Sequence, residues 1–167
     1  MASVSNKTLN LSTALTAARW GKLQYVTASG MSLQADATYA PPVTPAPTIL
    51  DERAAVANLS RNIVIQGADD AHWATGYGAH VMVMNLASKV VVDGVEFRRV
   101  GQAGEMGRYP FHWHMLSYEG TSFVGDAAGQ YLRRSAIHSS ANRGVVIHGT
   151  NGVTVQDNVI DDVRGHG

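Results

Sequence analysis

The chain has 167 residues, with Lys+Arg 13 balanced against Asp+Glu 13, and it contains no cysteine. That length buries a core without disulfide or metal staples. The charge balance excludes the basic stripe of a nucleic-acid binder and gives no electrostatic reason to dock on an anionic membrane. No apolar run is long enough for membrane insertion. Residues 1–20 lack the unbroken apolar stretch of a signal peptide, so an exported form would carry its signal outside this sequence.

Only 16% of residues are charged and 17 are glycine, which together with many valines reads as β-rich. Taken in chain order, residues 1–58 are expected to be an irregular connector or cap. Its proline-rich stretch, 40–47, favours extended backbone with few donors. Lys22-Leu23-Gln24-Tyr25-Val26 alternates as a strand does, and 51–59 is a short helix candidate. From 59 to 167 the texture changes. Short β-branched runs recur at 62–66, 80–85, 89–92, 95–97, 145–148 and 153–155, bounded by Gly, Asn or Asp.

Sliding the chain on itself places Asp157-Asn158-Val159-Ile160-Asp161-Asp162 beneath Arg134-Ser135-Ala136-Ile137-His138-Ser139, and Gly167 beneath Gly144, at an offset of 23 residues. An offset of that size suits one coil of a parallel β-helix. The alternative is a β-sandwich with frequent turns. The expected fold is therefore all-β, a right-handed parallel β-helix of about four to five coils with an irregular amino-terminal strap. Alternation then sends Ile63, Ile65, Val90, Val92, Val95, Phe97, Val145, Ile147, Val153 and Val155 inward. Val64, Val91, Glu96, Val146, His148 and Thr154 face outward as a wall suited to an extended polymer. The pattern breaks off at Gly165-His166-Gly167, which is expected of a stack truncated at its carboxyl end: either a fragment of a longer protein, or a homo-oligomer that protects the open edge.

The sharpest local feature is His112-Trp113-His114. On a strand, positions i and i+2 share a face, so both imidazoles project to one side and Trp113 to the other, where it is expected in the core. Two imidazoles on one face make half of a transition-metal site. His148, at the end of a matching strand, is the natural third ligand, so His112, His114 and His148 are the metal candidates, for zinc, copper or nickel. The alternative is a set of surface histidines on a β-wall. Arg108 and Arg143 stand at apparently equivalent corners one coil apart. Guanidinium groups there are suited to bidentate capture of a carboxylate on an acidic polysaccharide; capping turns or pairing with Glu105 and Asp126 is the other reading. For hydrolysis, a histidine such as His112 or His114, or a metal ion that binds the water, would activate it and an aspartate such as Asp157 would protonate the leaving oxygen, although Asp157-Asn158 also reads simply as a turn. Arg98-Arg99 and Arg133-Arg134 read as solvated edges.

Several strings carry a family resemblance. Leu50-Asp51-Glu52-Arg53-Ala54-Ala55-Val56 and Leu59-Ser60-Arg61-Asn62-Ile63-Val64-Ile65-Gln66-Gly67 are similar to the start of the β-helix in the family that includes the cell-migration-inducing hyaluronan-binding protein and the transmembrane cell-surface hyaluronidase. Gly107-Arg108-Tyr109-Pro110-Phe111-His112-Trp113-His114 resembles that family's most recognisable motif. Ser135-Ala136-Ile137-His138, Asn142-Arg143-Gly144-Val145-Val146-Ile147-His148-Gly149-Thr150 and Val155-Gln156-Asp157-Asn158-Val159 continue it in order. The family's eight-glycine domain is not evident, and the lack of cysteine departs from its animal members and suggests a bacterial-type relative. The resemblance implies an extracellular or cell-surface β-helix that binds or depolymerises hyaluronan or a similar acidic glycan, in the latter case as a hyaluronidase-like glycoside hydrolase. It adds His138 to Arg108 and Arg143 as a substrate-binding candidate. A non-catalytic structural or adhesive β-helix segment of a larger surface protein is the reading from another class.

Overall fold

A computed structural model describes residues 3–6, 8–19, 21, 24–27, 30–33, 48–50 and 54–167. The chain divides into two compact units, Met1–Val56 and Ala57–Gly167. In the first, β1 (Ser3–Ser5) pairs antiparallel with β2 (Thr8–Asn10), and β3 (Gln24–Thr27) lies between β4 (Gly30–Leu33) and β5 (Thr48–Leu50), antiparallel to both. Where an irregular strap was expected, short antiparallel strands therefore form. The proline-rich stretch and Asp51, Glu52 and Arg53 lie outside the described residues. The described part of the helix candidate, 54–59, is not helical. Six residues with no buried stripe cannot repay the cost of nucleating a helix.

The second unit is built from β6 (Ile63–Gln66), α1 (Ala71–Ala74), β7 (Val81–Val83), β8 (Val91–Asp93), β9 (Val95–Val100), β10 (Phe111–His114), β11 (Tyr118–Glu119), β12 (Ser122–Phe123), β13 (Tyr131–Arg133), β14 (Ala136–Ser140), β15 (Val145–His148), β16 (Thr154–Gln156) and β17 (Val159–Val163). Apart from the β11–β12 hairpin, these strands visit three parallel sheets in strict rotation. The sheets are β17-β14-β9-β6, β15-β10-β7 and β16-β13-β8, the connectivity of a parallel β-helix. The helix α1 is a single turn, started by Asp70, whose carboxylate accepts from the N–H groups of His72 and Trp73.

Register bears out the 23-residue offset where it was read. Ala136 pairs with Val159 and Tyr131 with Thr154, each 23 positions on. Earlier turns of the chain are longer: Ile63 pairs with Val95 and Ile137 with Phe97, separations of 32 and 40. The extra residues form α1, the 101–110 loop and the β11–β12 hairpin.

The lumen holds Val95, Phe97, Phe111, Trp113, Leu132 and Ile137, all at most 8% exposed. Each such side chain contributes about 1.5–3 kcal/mol. Val90, Val92, Val145 and Val153 pack against this core as expected. Four other residues expected inside are exposed: Ile63 (60%), Ile65 (37%), Ile147 (48%) and Val155 (40%). Their register partners Val95, Phe97, Trp113 and Leu132 confirm that they occupy lumen positions. They belong, however, to the outermost strand of each sheet, where no further strand covers them. Glu96, expected outside, is buried at 5% because the Arg61 N–H and the side chains of Arg98 and His138 close over its carboxylate.

One corner repeats. Gly94, Arg134 and Asp157 each join a strand of the second three-stranded sheet to one of the four-stranded sheet, at φ +68, +50 and +54. Asn158 bridges the stack there, its amide accepting from Ser135 N–H and donating to the Leu132 carbonyl. The paired arginines are tied up nearby: Arg133 and Arg134 both bind Asp93, Arg98 binds Glu96 and Gln66, and Arg99 binds Asp69 and Gln66. Among the described residues no helix is long and apolar enough to cross a membrane.

Candidate functional site

The sequence Phe111-His112-Trp113-His114 splits cleanly across β10. Phe111 and Trp113 enter the core, their rings 4.6 Å apart, and the Trp113 indole N–H donates to the Gln130 amide oxygen at 3.1 Å. His112 and His114 therefore take the outer face. β15 runs parallel beside β10 with His148 in register with His114 and Val146 with His112. Pairing in register puts all three imidazoles together: ring centroids are 4.9 Å apart for His112–His114, 5.1 Å for His114–His148 and 6.3 Å for His112–His148. One ligand atom from each lies within 4.8 Å of the others.

Their surroundings are graded. His148 is exposed and His114 half-buried, but His112 is only 2% exposed. The 101–110 loop covers it. Its Nδ1 lies 3.2 Å from the Gly107 carbonyl, and the Tyr109 ring packs edge-on at 4.9 Å. Asn142 ties the loop down by donating to the carbonyls of Gln102 and Glu105. Because a carbonyl only accepts, Nδ1 carries the proton and Nε2 holds a free lone pair. That Nε2 is buried with no partner, alone in this among the buried side-chain N and O atoms of the described residues. Burial, reinforced by His114 and His148, pushes the imidazole pKa down against the opposing pull of the Gly107 bond, so the ring stays neutral.

These features fit a metal. A ligating histidine characteristically donates its second ring N–H to a carbonyl or carboxylate, which fixes the tautomer, and an orphaned buried nitrogen calls for a partner. The Nδ1 atoms of His114 and His148 are 3.3 Å apart. Two nitrogens bound tetrahedrally at about 2.0–2.1 Å would stand roughly 3.3–3.4 Å apart. Three imidazoles that can meet one cation are thus already grouped.

The arginine candidates lie at the same end of these strands. Arg108 is in the loop before β10 and Arg143 in the shorter connection before β15. The Arg143 guanidinium sits 5.2 Å over the Tyr109 ring, at a surface cavity of 220 Å³ lined by Gly104, Glu105, Met106, Tyr109, Asn142 and Arg143. Arg108 is exposed and lies near enough to His80 to depress that imidazole's basicity, on top of the larger effect of burial. Tyr109 therefore links the arginine to the histidines, lying next to both Arg143 and His112.

Two other candidates lie elsewhere. His138 is on the four-stranded sheet, its Nε2 3.1 Å from the buried carboxylate of Glu96. Asp157 occupies the repeated left-handed corner between β16 and β17. Neither belongs to the sheet that carries the three histidines. Sequence reasoning passed over Gly107 and Tyr109 as site residues, because a loop that folds back over its own strand leaves no periodic signal.

A family model described as the CEMIP β-helix matches residues 76–167. Human cell surface hyaluronidase CEMIP2 is 35% identical over 130 residues, a match covering 70% of this chain and 9% of that protein. A G8 domain-containing protein from Dictyostelium discoideum is 38% identical over 114 residues, covering 68% of this chain and 9% of the relative. Human fibrocystin-L is 32% identical over 155 residues, covering 71% and 4%. The chain thus spans less than a tenth of the length of these relatives. No solved structure matches it significantly. With the family model accounting for more than half of its residues, the chain belongs to the CEMIP β-helix family.

Proposed function

We propose that this unit is a cell-surface or extracellular domain that binds an acidic polysaccharide of the hyaluronan class and, with a metal in place, cleaves it. The observation that carries the reading is the grouping of His112, His114 and His148 beside Arg143 and Tyr109. The names of two relatives support the substrate class, one from human and one from zebrafish, both called cell surface hyaluronidases. We take the working domain as 59–167, with 1–58 as connector or cap. Its winding is right-handed, as nearly all parallel crossovers are.

The chemistry divides between two places. Arg143, seated over the Tyr109 ring, and the exposed Arg108 take the uronate carboxylates by paired hydrogen bonds. His112, His114 and His148 would hold a divalent zinc, copper or nickel ion. Such an ion lowers the pKa of bound water towards neutrality. Cleavage would be hydrolysis: the water oxygen joins the anomeric carbon as the bond from that carbon to the glycosidic oxygen breaks, and one water proton ends on the departing oxygen. His138 and Asp157, on other parts of the stack, are given no role in this step.

The test uses untagged protein and high-molecular-weight hyaluronan. Retention on immobilised hyaluronan should be strong for the wild type and weakened by Arg143→Ala, and chain shortening by size exclusion should disappear in His112→Ala. If Arg143→Ala binds as the wild type does, the carboxylate grip is refuted. If hyaluronan is bound but never shortened with zinc, copper or nickel present, the hydrolytic part falls and a non-catalytic adhesive domain remains.

A further inference from the structure

We infer that the histidine centre is a copper site, with Met84 and Met82 supplying thioether sulfur beside the imidazoles; this rests on the metal reading above. The argument begins with β7, which flanks β10 on the side away from β15. Met82 is in register with His112 and Val83 with Trp113, so Met84, the next residue, falls level with His114. Val83 is in the core at 5% exposure, and alternation therefore turns Met82 and Met84 to the outer face. β10 and β15 present His-x-His and Val-x-His outward, and β7 adds Met82, with Met84 just past its end and neighbouring rows about 4.8 Å apart.

Local packing sets Met82 against the loop that covers His112, and Met84 beside Met115. The Met82 methyl lies 3.4 Å from where a β-carbon on Gly107 would stand, and Gly107 is the residue whose carbonyl orients His112. On the other flank Met115 follows His114, and its sulfur fills the place of a β-carbon on Gly149, the residue after His148. Met84 and Met115 also wall one 610 Å³ cavity at the carboxyl ends of β7 and β10.

Packing against the 101–110 loop accounts in part for Met82, since methionine fills irregular gaps. It does not explain Met84, which is 66% exposed and supports nothing in the lumen. A flexible, solvent-facing thioether one strand away from His112 and His114 is a soft donor with freedom to reach. Imidazole alone serves zinc, copper and nickel alike, whereas thioether sulfur selects copper, above all Cu(I).

The test compares the whole untagged chain with Met84→Leu and with Met82→Leu/Met84→Leu, substitutions close in volume that cores tolerate. Cu(I) affinity is measured anaerobically by competition with a chromophoric chelator, Zn(II) affinity by the same approach in air, and sulfur ligation by X-ray absorption at the copper edge. Cu(I) binding should weaken about ten- to a hundredfold in the double variant, the range seen when a supporting group is removed from a metal centre. Zn(II) binding should stay unchanged, and the wild type alone should show a sulfur scatterer. Equal Cu(I) affinity in wild type and double variant, with zinc still bound, overturns the thioether assignment and leaves the three-histidine site standing. If neither Cu(I), Cu(II), Zn(II) nor Ni(II) binds the wild type, the metal reading falls and this inference with it.

Discussion

Replacing His112 with phenylalanine separates what this residue does for the fold from what it does for the site. The wild-type ring buries an Nε2 with no partner, and an unsatisfied buried polar atom costs about 1–3 kcal/mol. Phenylalanine removes that cost. It also forfeits the Nδ1 bond to the Gly107 carbonyl, worth about 0.5–1.5 kcal/mol. The slightly larger ring, wedged between Tyr109 and His114, adds overpacking strain of about 1–3 kcal/mol. These effects oppose one another, so metal-free His112→Phe should lie between about 1.5 kcal/mol more and about 3.5 kcal/mol less stable than the wild type.

Metal separates the two proteins. An ion held at a free concentration a hundred times its Kd stabilises the folded state by about 2.7 kcal/mol. In a cooperative unit of roughly a hundred residues that raises Tm by about 10–20 °C. Thermal melts of chelator-treated, untagged protein with and without zinc should show this rise in the wild type and none in His112→Phe. Refutation takes any of three forms. Zinc fails to move the wild type, zinc moves the variant equally, or the metal-free variant loses more than about 4 kcal/mol, a value that marks a core residue rather than a site residue.

Other outcomes follow from the same structure. Desolvation works to raise the Asp93 pKa, but bonds from Arg133 and Arg134 outweigh it and hold the carboxyl below its ordinary value. The folded state therefore binds that proton less readily than the unfolded one, so the stability Asp93 contributes is present above the ordinary carboxylate range and is lost as pH falls through and below it. Urea unfolding between pH 6 and 3 should accordingly be less pH-dependent in Asp93→Asn. Gly78→Ala would set a β-carbon 2.6 Å and 2.7 Å from the carbonyl oxygens of Arg99 and Gly101. It should cost about 1–3 kcal/mol or more in denaturant melts. Gly94→Ala meets open space and pays only for its positive φ, about 1–2 kcal/mol, while Gly94→Asn should cost less. Gln130→Leu strands the Trp113 indole N–H and the Ser88 carbonyl that Gln130 now satisfies. Its expected loss is about 1–3 kcal/mol, with a changed tryptophan emission.

What could be read from the sequence is what repeats at short range. The 23-residue offset was visible because the turn of chain from β14 to β17 is nearly pure strand and corner, and the register of Ala136 on Val159 confirms it. The two earlier turns hide the same repeat behind α1, the 101–110 loop and the β11–β12 hairpin, and an inserted loop destroys a fixed offset without disturbing the sheet. Alternation placed Phe97 and Trp113 correctly, because both lie on central strands. It failed for Ile63, Ile65, Ile147 and Val155, since burial of a lumen residue depends on a neighbouring strand above and below, a property of stacking rather than of local pattern.

The site divides along the same line. Two imidazoles on one face follow from strand periodicity, and the register delivers His148. Nothing periodic marks Gly107, Tyr109 or the burial of His112. Those arise because a ten-residue loop folds back over its own strand, held by Asn142 from the next turn of the stack. This covering bears directly on function. An exposed histidine cluster costs a fold almost nothing and so implies little, but a ring whose tautomer is fixed by a carbonyl and whose second nitrogen is buried without a partner carries a standing cost. The rest of the unit satisfies its buried side-chain polar atoms, down to Gln130 bridging Trp113 and Ser88. A structure that thorough would complete the His112 site too if folding alone shaped it, and the partner we propose for that nitrogen is a cation shared with His114 and His148.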